Sequence, residues 1–353
     1  MVQTQVNPGH FQILATDKIK NADENFGPEF ASYRKKWNEV ATKHIVLPFP
    51  LHLDVESVSA CNLKCIMCPW HGEQFKDSNL KGPGLGYMKW DLFVKIMDEA
   101  AKFKVSSIKF NYRGEPLLHP RLADMVRYAK SKGVLEVQFN SNGLTLDEKK
   151  ARELIDAGLD RIIISFDGAT KQTYEKVRVL SNFERVVANI KRLVDIRNSL
   201  GKTKPSVRVQ MCVQPENEAE VELFASMWID TVNRIAFGIK KDPNKIEKGY
   251  SFPCPQIWQR LMICYDGEVR ACCGDWNGEM PLGHFPEQSL ESIWKGEFLA
   301  KLRETHLAGK DNDIPTCAKC DINKVRTHDK VEAIVSKYNS RIINLPFDKE
   351  TGA

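Results

Sequence analysis

The segment "SACNLKCIMCPW", Ser59 to Trp70, sets Cys61, Cys65 and Cys68 at C-x3-C-x2-C and offers no fourth cysteine nearby. Three thiolates are one short of a closed tetrahedral zinc site and one short of a fully protein-ligated iron–sulfur cluster. A [4Fe–4S] cluster held by three thiolates keeps one iron free for an exogenous ligand, which a four-thiolate cluster does not. A second group lies toward the C-terminus: Cys254, Cys264, Cys272, Cys273, Cys317 and Cys320. Within it Cys254, Gly267 and Cys272 are spaced as C-x12-G-x4-C, and Cys317 with Cys320 as C-x2-C. Four such thiolates suit a structural zinc ion or a cluster, and spacing alone leaves both open. Cys212 stands by itself in the apolar run "SVRVQMCVQ" and reads as core.

The chain has 353 residues and 10 cysteines, and its start, "MVQTQVNPGHFQILATDKIK", lacks the basic segment, apolar block and small-residue cleavage site of a secretory signal. Cysteines in that setting are metal ligands or redox groups rather than a disulfide framework. With 42% hydrophobic and 27% charged residues the composition is that of a soluble globular enzyme, expected in the cytoplasm with no membrane partner. The net charge of +5 comes from 51 basic and 46 acidic side chains, and the Lys-Lys pairs at 35, 149 and 240 are scattered. That pattern is a solvated surface and excludes a nucleic-acid-binding stripe.

The elements that must position these cysteines alternate between β-type and helix-period runs from about residue 51 to 245. "LHLDVES" precedes "MKWDLFVKIMDEAAKF", where Leu92, Phe93, Ile96, Met97, Ala100 and Ala101 recur on one helical face. "SSIKFNY", "LEVQFNSNG", "DRIIISFDG", "SVRVQMCVQ" and "NRIAFGI" supply five more strands with helices between them. Gly133, Gly158 and Gly201 follow three of those helices as C-terminal caps. Six strands with crossover helices predict a parallel barrel or partial barrel, with its chemistry at the C-terminal strand ends. Cys61 and the signatures "NYRGEP", "FNSNG" and "SFDG" all fall there, and the Gly-rich segment 72–88 is expected to loop over the same rim. Residues 1–50 read as a helix-bearing extension. Residues 246–330 read as a small Cys-rich unit supported by metal rather than by a core of its own, and 331–353 as a tail.

Taken together, residues 51 to 330 resemble the radical S-adenosylmethionine (radical SAM) superfamily, whose hallmark is C-x3-C-x2-C after the first strand of a partial (β/α)6 TIM-like barrel. The resemblance implies that the [4Fe–4S] cluster at Cys61, Cys65 and Cys68 chelates S-adenosylmethionine. It further implies that one-electron reduction, from a flavodoxin- or ferredoxin-type donor, yields a 5′-deoxyadenosyl radical that takes a hydrogen atom from substrate. "YRGEP" matches the family's G-G-E-P element with Arg113 at the first glycine, so Gly114 and Glu115 would hold the methionine amino group. Ser141 and Asn142 would lie near the ribose, Ser165 and Asp167 match the fourth strand, and Arg178 matches an arginine that pairs with the methionine carboxylate. A zwitterion needs such groups: a carboxylate for its ammonium, a forked donor for its carboxylate, hydroxyls and amides for its ribose.

The second cysteine group resembles the SPASM extension of the superfamily in its truncated, twitch-type form, as in the 2-deoxy-scyllo-inosamine dehydrogenase family. By that match Cys254, Cys272, Cys317 and Cys320 would hold one auxiliary [4Fe–4S] cluster. Cys264 and Cys273 remain as candidate hydrogen-atom donors or a substitute ligand. An auxiliary cluster suits a dehydrogenase, because the radical left on an alcohol carbon must lose one more electron to become a ketone. An epimerase would instead need a thiol such as Cys264 or Cys273. Peptide maturation is a rival, although the N-terminal extension is short for a peptide-recognition module, which favours a small polyol, aminocyclitol or (nucleotide-)sugar substrate. A metal-binding scaffold without catalysis is the non-enzymatic alternative. His71 and His119 lie near the expected rim, where a lone histidine is more often structural than a base.

Overall fold

The computed structural model describes residues 12–15, 26–68, 70, 86–239, 253–275, 278–318 and 320. His71, most of the expected rim loop and the C-terminal tail fall outside them. Strand β1 (Gln12–Ala15) and helix α1 (Gly27–Thr42) lead into six strands: β2 (His52–Val55), β3 (Ser107–Lys109), β4 (Glu136–Ser141), β5 (Arg161–Ser165), β6 (Ser206–Val213) and β7 (Arg234–Ile239). Between them run α2 (Trp90–Lys102), α3 (Leu122–Ser131), α4 (Glu148–Asp156), α5 (Lys171–Val177), α6 (Phe183–Ser199) and α7 (Val221–Trp228). Neighbouring strands from β2 to β7 pair in parallel in chain order, and β1 pairs antiparallel on β7.

Parity along each strand explains this layering. Leu53 and Val55, Ile108, Val137 and Phe139, Ile162 and Ile164, and Val207, Val209 and Met211 are at most 0% exposed and pack under the helices. The intervening positions carry His52, Asp54, Ser107, Lys109, Glu136, Gln138, Arg161, Arg208 and Gln210, which line a polar lumen and bond across strands. Cys212 shares the parity of Arg208 and Gln210, is half-buried, and so is not the core residue expected of it. The helices bury the faces that their spacing predicts: in α2 Phe93, Ile96, Met97 and Ala100 are inaccessible, each large apolar side chain contributing about 1.5–3 kcal/mol. Asp147, Thr170 and Asn182 cap α4, α5 and α6 through their side chains, and Gly133, Gly158 and Gly201 have φ of 83°, 85° and 63°.

The C-terminal segment departs most from expectation. After α8 (Gln256–Gln259), strand β8 (Arg260–Ile263) pairs in parallel with β2 on the side away from β3, and β9 (Glu268–Arg270) and β10 (Pro281–His284) extend the sheet antiparallel. Ile257, Trp258, Leu261 and Ile263, together with Leu290, Ile293 and Trp294 of α9 (Leu290–Trp294) and Leu299 and Leu302 of α10 (Glu297–Leu307), belong to the same apolar cluster as the barrel. This unit is therefore built into the barrel's core and is not an appendage lacking one. Its indole Trp294 Nε1 donates to Leu47 O at 2.8 Å, and Gln259 Nε2 to Trp37 O at 2.9 Å, fastening it to the N-terminal helix region.

Candidate active site at the strand ends

The cysteine loop leaves the end of β2 and is strapped by main-chain bonds: Lys64 N to Val179 O at 3.0 Å, Ile66 N to Val177 O at 3.1 Å, Cys68 N to Cys65 O at 3.0 Å. Cys61 and Cys68 are half-buried and Cys65 buried. Burial pushes the Cys61 thiol up to about 11, and raises Cys65 too, with the nearby Arg178 charge opposing. The segment after β3 packs directly beneath. A Cβ on Gly114 would lie 2.2 Å from Val58 O and 2.5 Å from Ala60 O, so no larger residue fits without moving the cysteine loop. Glu115 N donates to Ala60 O at 2.8 Å.

Arg113, at the position where the family has glycine, sends its side chain elsewhere. Its Nε and Nη2 reach Glu56 at 2.7 Å and 2.5 Å, a forked pair with a fully buried carboxylate. The close approach belongs to Gly114, which is kept, so arginine at 113 is accommodated. Glu56 is a partner that sequence reading missed: it lies three residues before the triplet region begins, with nothing local to link it to residue 113.

The Glu115 carboxylate is buried and accepts from Leu117 N at 3.0 Å, Ser141 Oγ at 2.8 Å and Asn142 N at 2.7 Å. Burial raises its pKa while those donors oppose the rise. A carboxylate has about four acceptor positions, so about one remains for a ligand ammonium. Ser141 Oγ also accepts from Gly143 N at 2.9 Å. Asn142 Nδ2 donates to Asn62 Oδ1 at 2.8 Å, inside the cysteine loop, so Ser141 and Asn142 brace the triplet's surroundings. Asp167 is buried, takes Cys212 N at 2.6 Å, and holds Arg178 through Nη2 at 2.6 Å and Nε at 2.7 Å. The guanidinium keeps further N–H groups beside Cys65. Ser165 is half-buried at the end of β5, opposite Gln210. His119 is buried with Nε2 on Met88 O at 3.2 Å and Nδ1 accepting from Arg121 N at 3.2 Å, a structural histidine.

The second cysteine group lies toward the opposite end of the same strands: Cys254 precedes α8 and β8, and Cys272 follows β9, whose antiparallel pairing of Arg270 with Met262 runs the chain back toward Arg260, which pairs with His52 at the start of β2. Tyr112 after β3 donates its hydroxyl to Asp275 O at 2.7 Å. Cys254, Cys272, Cys317 and Cys320 line one cavity with the apolar Ile257, Met280 and Leu302 and with His306. Gly267 turns the β8–β9 hairpin at φ 103°, where a Cβ would lie 2.1 Å from Phe285 O. Burial pushes the Cys254 and Cys317 thiols up to about 12, and Cys272 well above its usual range. Cys273 is not among the side chains that line the cavity, and its Sγ lies 3.6 Å from Oε1 of Gln256, which does line it. Cys264 is 0% exposed, enclosed near Glu56, Arg113 and Arg270, so it has no open face from which to serve as a hydrogen-atom donor. Among the described residues no three His, Cys, Asp or Glu side chains converge on a single metal ion. The fit is in donor chemistry: two sets of thiols, one among charged groups and one in an apolar pocket.

Residues 55–227 match the model of the radical SAM superfamily, and residues 254–321 match that of the SPASM iron–sulfur cluster-binding domain. The chain carries a radical SAM domain followed by a SPASM domain. A [4Fe–4S] cluster and S-adenosylmethionine are the cofactors of the first domain, and auxiliary iron–sulfur binding belongs to the second. Over 172 residues this radical SAM chain is 36% identical to the tungsten-containing aldehyde ferredoxin oxidoreductase cofactor-modifying protein of Pyrococcus furiosus, covering 47% of this chain and 44% of that one. The chain thus spans under half the length of the curated relatives it matches. In fold it is similar to BtrN in complex with AdoMet and 2-DOIA (TM-score 0.56, 18% identity, 81% of this chain and 99% of that one). It is also similar to Streptococcus suis SuiB bound to precursor peptide SuiA (TM-score 0.57, 12% identity, 78% and 71%). Among the described residues no helix is long and apolar enough to cross a membrane.

Proposed function

We propose that this radical SAM enzyme is an oxidoreductase that converts an alcohol of a small polyol, aminocyclitol or (nucleotide-)sugar to a ketone. The SAM-side cluster would be held by Cys61, Cys65 and Cys68, and one auxiliary [4Fe–4S] cluster by Cys254, Cys272, Cys317 and Cys320. When bound, the first cluster and S-adenosylmethionine supply a 5′-deoxyadenosyl radical, and the auxiliary cluster an electron acceptor. The observation that supports this reading is the pairing of β2 with β8 and of β8 with β9, which sets the triplet beyond the Val55 end and Cys254 and Cys272 toward the Arg260 end of one strand pair. A substrate in the polar lumen between those ends would lie between the two groups.

The chain's own groups divide the work. Gly114 lets main-chain carbonyls approach, Glu115 keeps one acceptor position for the methionine ammonium, and Arg178, held by Asp167, offers its free N–H groups to the carboxylate. Below the rim, Lys109 forms no ion pair among the described residues. Asp54, opposite it in register, is engaged by Arg260 at 3.2 Å and His52 at 3.3 Å. Burial, with Arg208 and Arg260 nearby, lowers the Lys109 pKa while Asp54 opposes, so an anionic substrate group would be held by, and would in turn stabilise, the ammonium; this favours a nucleotide sugar over a cationic aminocyclitol. An electron donor of flavodoxin or ferredoxin type would supply the reducing electron.

The test is to incubate the anaerobically reconstituted enzyme, a reductant and S-adenosylmethionine with matched sugars, aminocyclitols and nucleotide sugars. Carbonyl product in step with 5′-deoxyadenosine supports the dehydrogenase. An inverted alcohol without carbonyl would select an epimerase working through Cys273, the candidate thiol that keeps an open face. Turnover only with a peptide would overturn the small-molecule reading.

A further inference from the structure

His306, on α10, is buried at 3% exposure and bridges two of the four cysteines of the SPASM cavity. Cys254 N lies 3.4 Å from its Nδ1, and Cys317 Sγ lies 3.5 Å from its Nε2. A main-chain amide can only donate, so Nδ1 must be the acceptor. An imidazole that accepts at Nδ1 has no proton there and carries its single proton on Nε2, and that proton faces Cys317 Sγ.

We infer that His306 is a positioning residue that donates an Nε2–H hydrogen bond to the Cys317 thiolate of the auxiliary cluster and raises the cluster's reduction potential. Hydrogen bonds to ligand sulfur and solvent exposure are the protein's main levers on such potentials. Ile257, Met280 and Leu302 of the lining have no N–H to offer, Thr316 Oγ1 donates to Glu279, and Gln256 Oε1 faces Cys273, whereas the imidazole Nε2 lies within hydrogen-bond reach of Cys317 Sγ. Withdrawing electron density from one thiolate stabilises the more negative, reduced cluster, the state an electron acceptor must reach. Two ligands held by one rigid ring also fix Cys254 and Cys317 relative to each other, although they are 63 residues apart in sequence.

The inference rests on the auxiliary-cluster reading, so iron is counted first: a wild-type chain with only about four irons overturns both. With about eight, the potential of the auxiliary cluster is followed by spectroscopic titration in wild type, His306→Leu and His306→Gln. The leucine variant is expected to accept its electron about tenfold less favourably, ~59 mV lower for one electron. Glutamine, which keeps an N–H donor, is expected to recover most of the shift. If leucine costs the protein its auxiliary iron, the glutamine variant decides: iron retained near the wild-type potential upholds the donor, iron lost in both overturns it. Full iron with an unchanged potential in the leucine variant overturns the hydrogen bond alone.

Discussion

The two cysteine groups sit toward opposite ends of the β2–β8 strand pair, in contrasting surroundings. The triplet is ringed by charge and amide groups: Glu115 with three donors, Arg178 locked on Asp167, Asn62 on Asn142. The SPASM cysteines line a cavity with the apolar Ile257, Met280 and Leu302, the uncharged Gln256 and Thr316, and the His306 imidazole. A site that must receive a zwitterion needs preplaced ions of both signs, whereas a site that only exchanges electrons is served by exclusion of water and few dipoles. On the proposed reading, chemistry belongs to one group and electron storage to the other.

The sharpest break of that contrast is to remove one thiol from each side. Cys65→Ala is expected to abolish 5′-deoxyadenosine formation. Cys272→Ala is expected to leave that reaction running at a reduced rate and to eliminate carbonyl product, while Cys273→Ala retains both iron sets. A smaller effect comes from the charge around the triplet: Asp167→Ala strands the buried Arg178 charge and should cost about 3–5 kcal/mol of stability in urea unfolding, with weaker S-adenosylmethionine binding. Glu56→Ala strands Arg113 in the same way and should lower stability by a similar ~3 kcal/mol while leaving Gly114 in place. The mildest is Lys109→Met, expected to weaken an anionic substrate about tenfold, about 1.4 kcal/mol, with a neutral analogue unaffected.

Much of this was legible in the chain. The strand and helix alternation, the faces of α2 and the cysteine spacing follow from periodicities of 2 and 3.6 and from thiol chemistry, which are local properties. What was not legible is long-range. No window predicts that Arg260–Ile263 pairs beside His52–Val55, so the C-terminal segment looked short of a core when it shares the barrel's. Cys212 looked apolar because its neighbours are, and only the parity of β6 turns it inward. Glu56 with Arg113 and His306 with Cys317 join residues 57 and 11 positions apart through folding alone. A histidine three residues after Arg303 on a helix gives no signal of a cysteine beside it.

The central claim is tested most directly by iron, sulfide and zinc per chain in the wild-type protein reconstituted without oxygen. The account predicts about eight iron and eight sulfide with no stoichiometric zinc, two [4Fe–4S] clusters. About four of each with one zinc would contradict it, leaving radical chemistry at the triplet and a structural ion where the electron acceptor is placed.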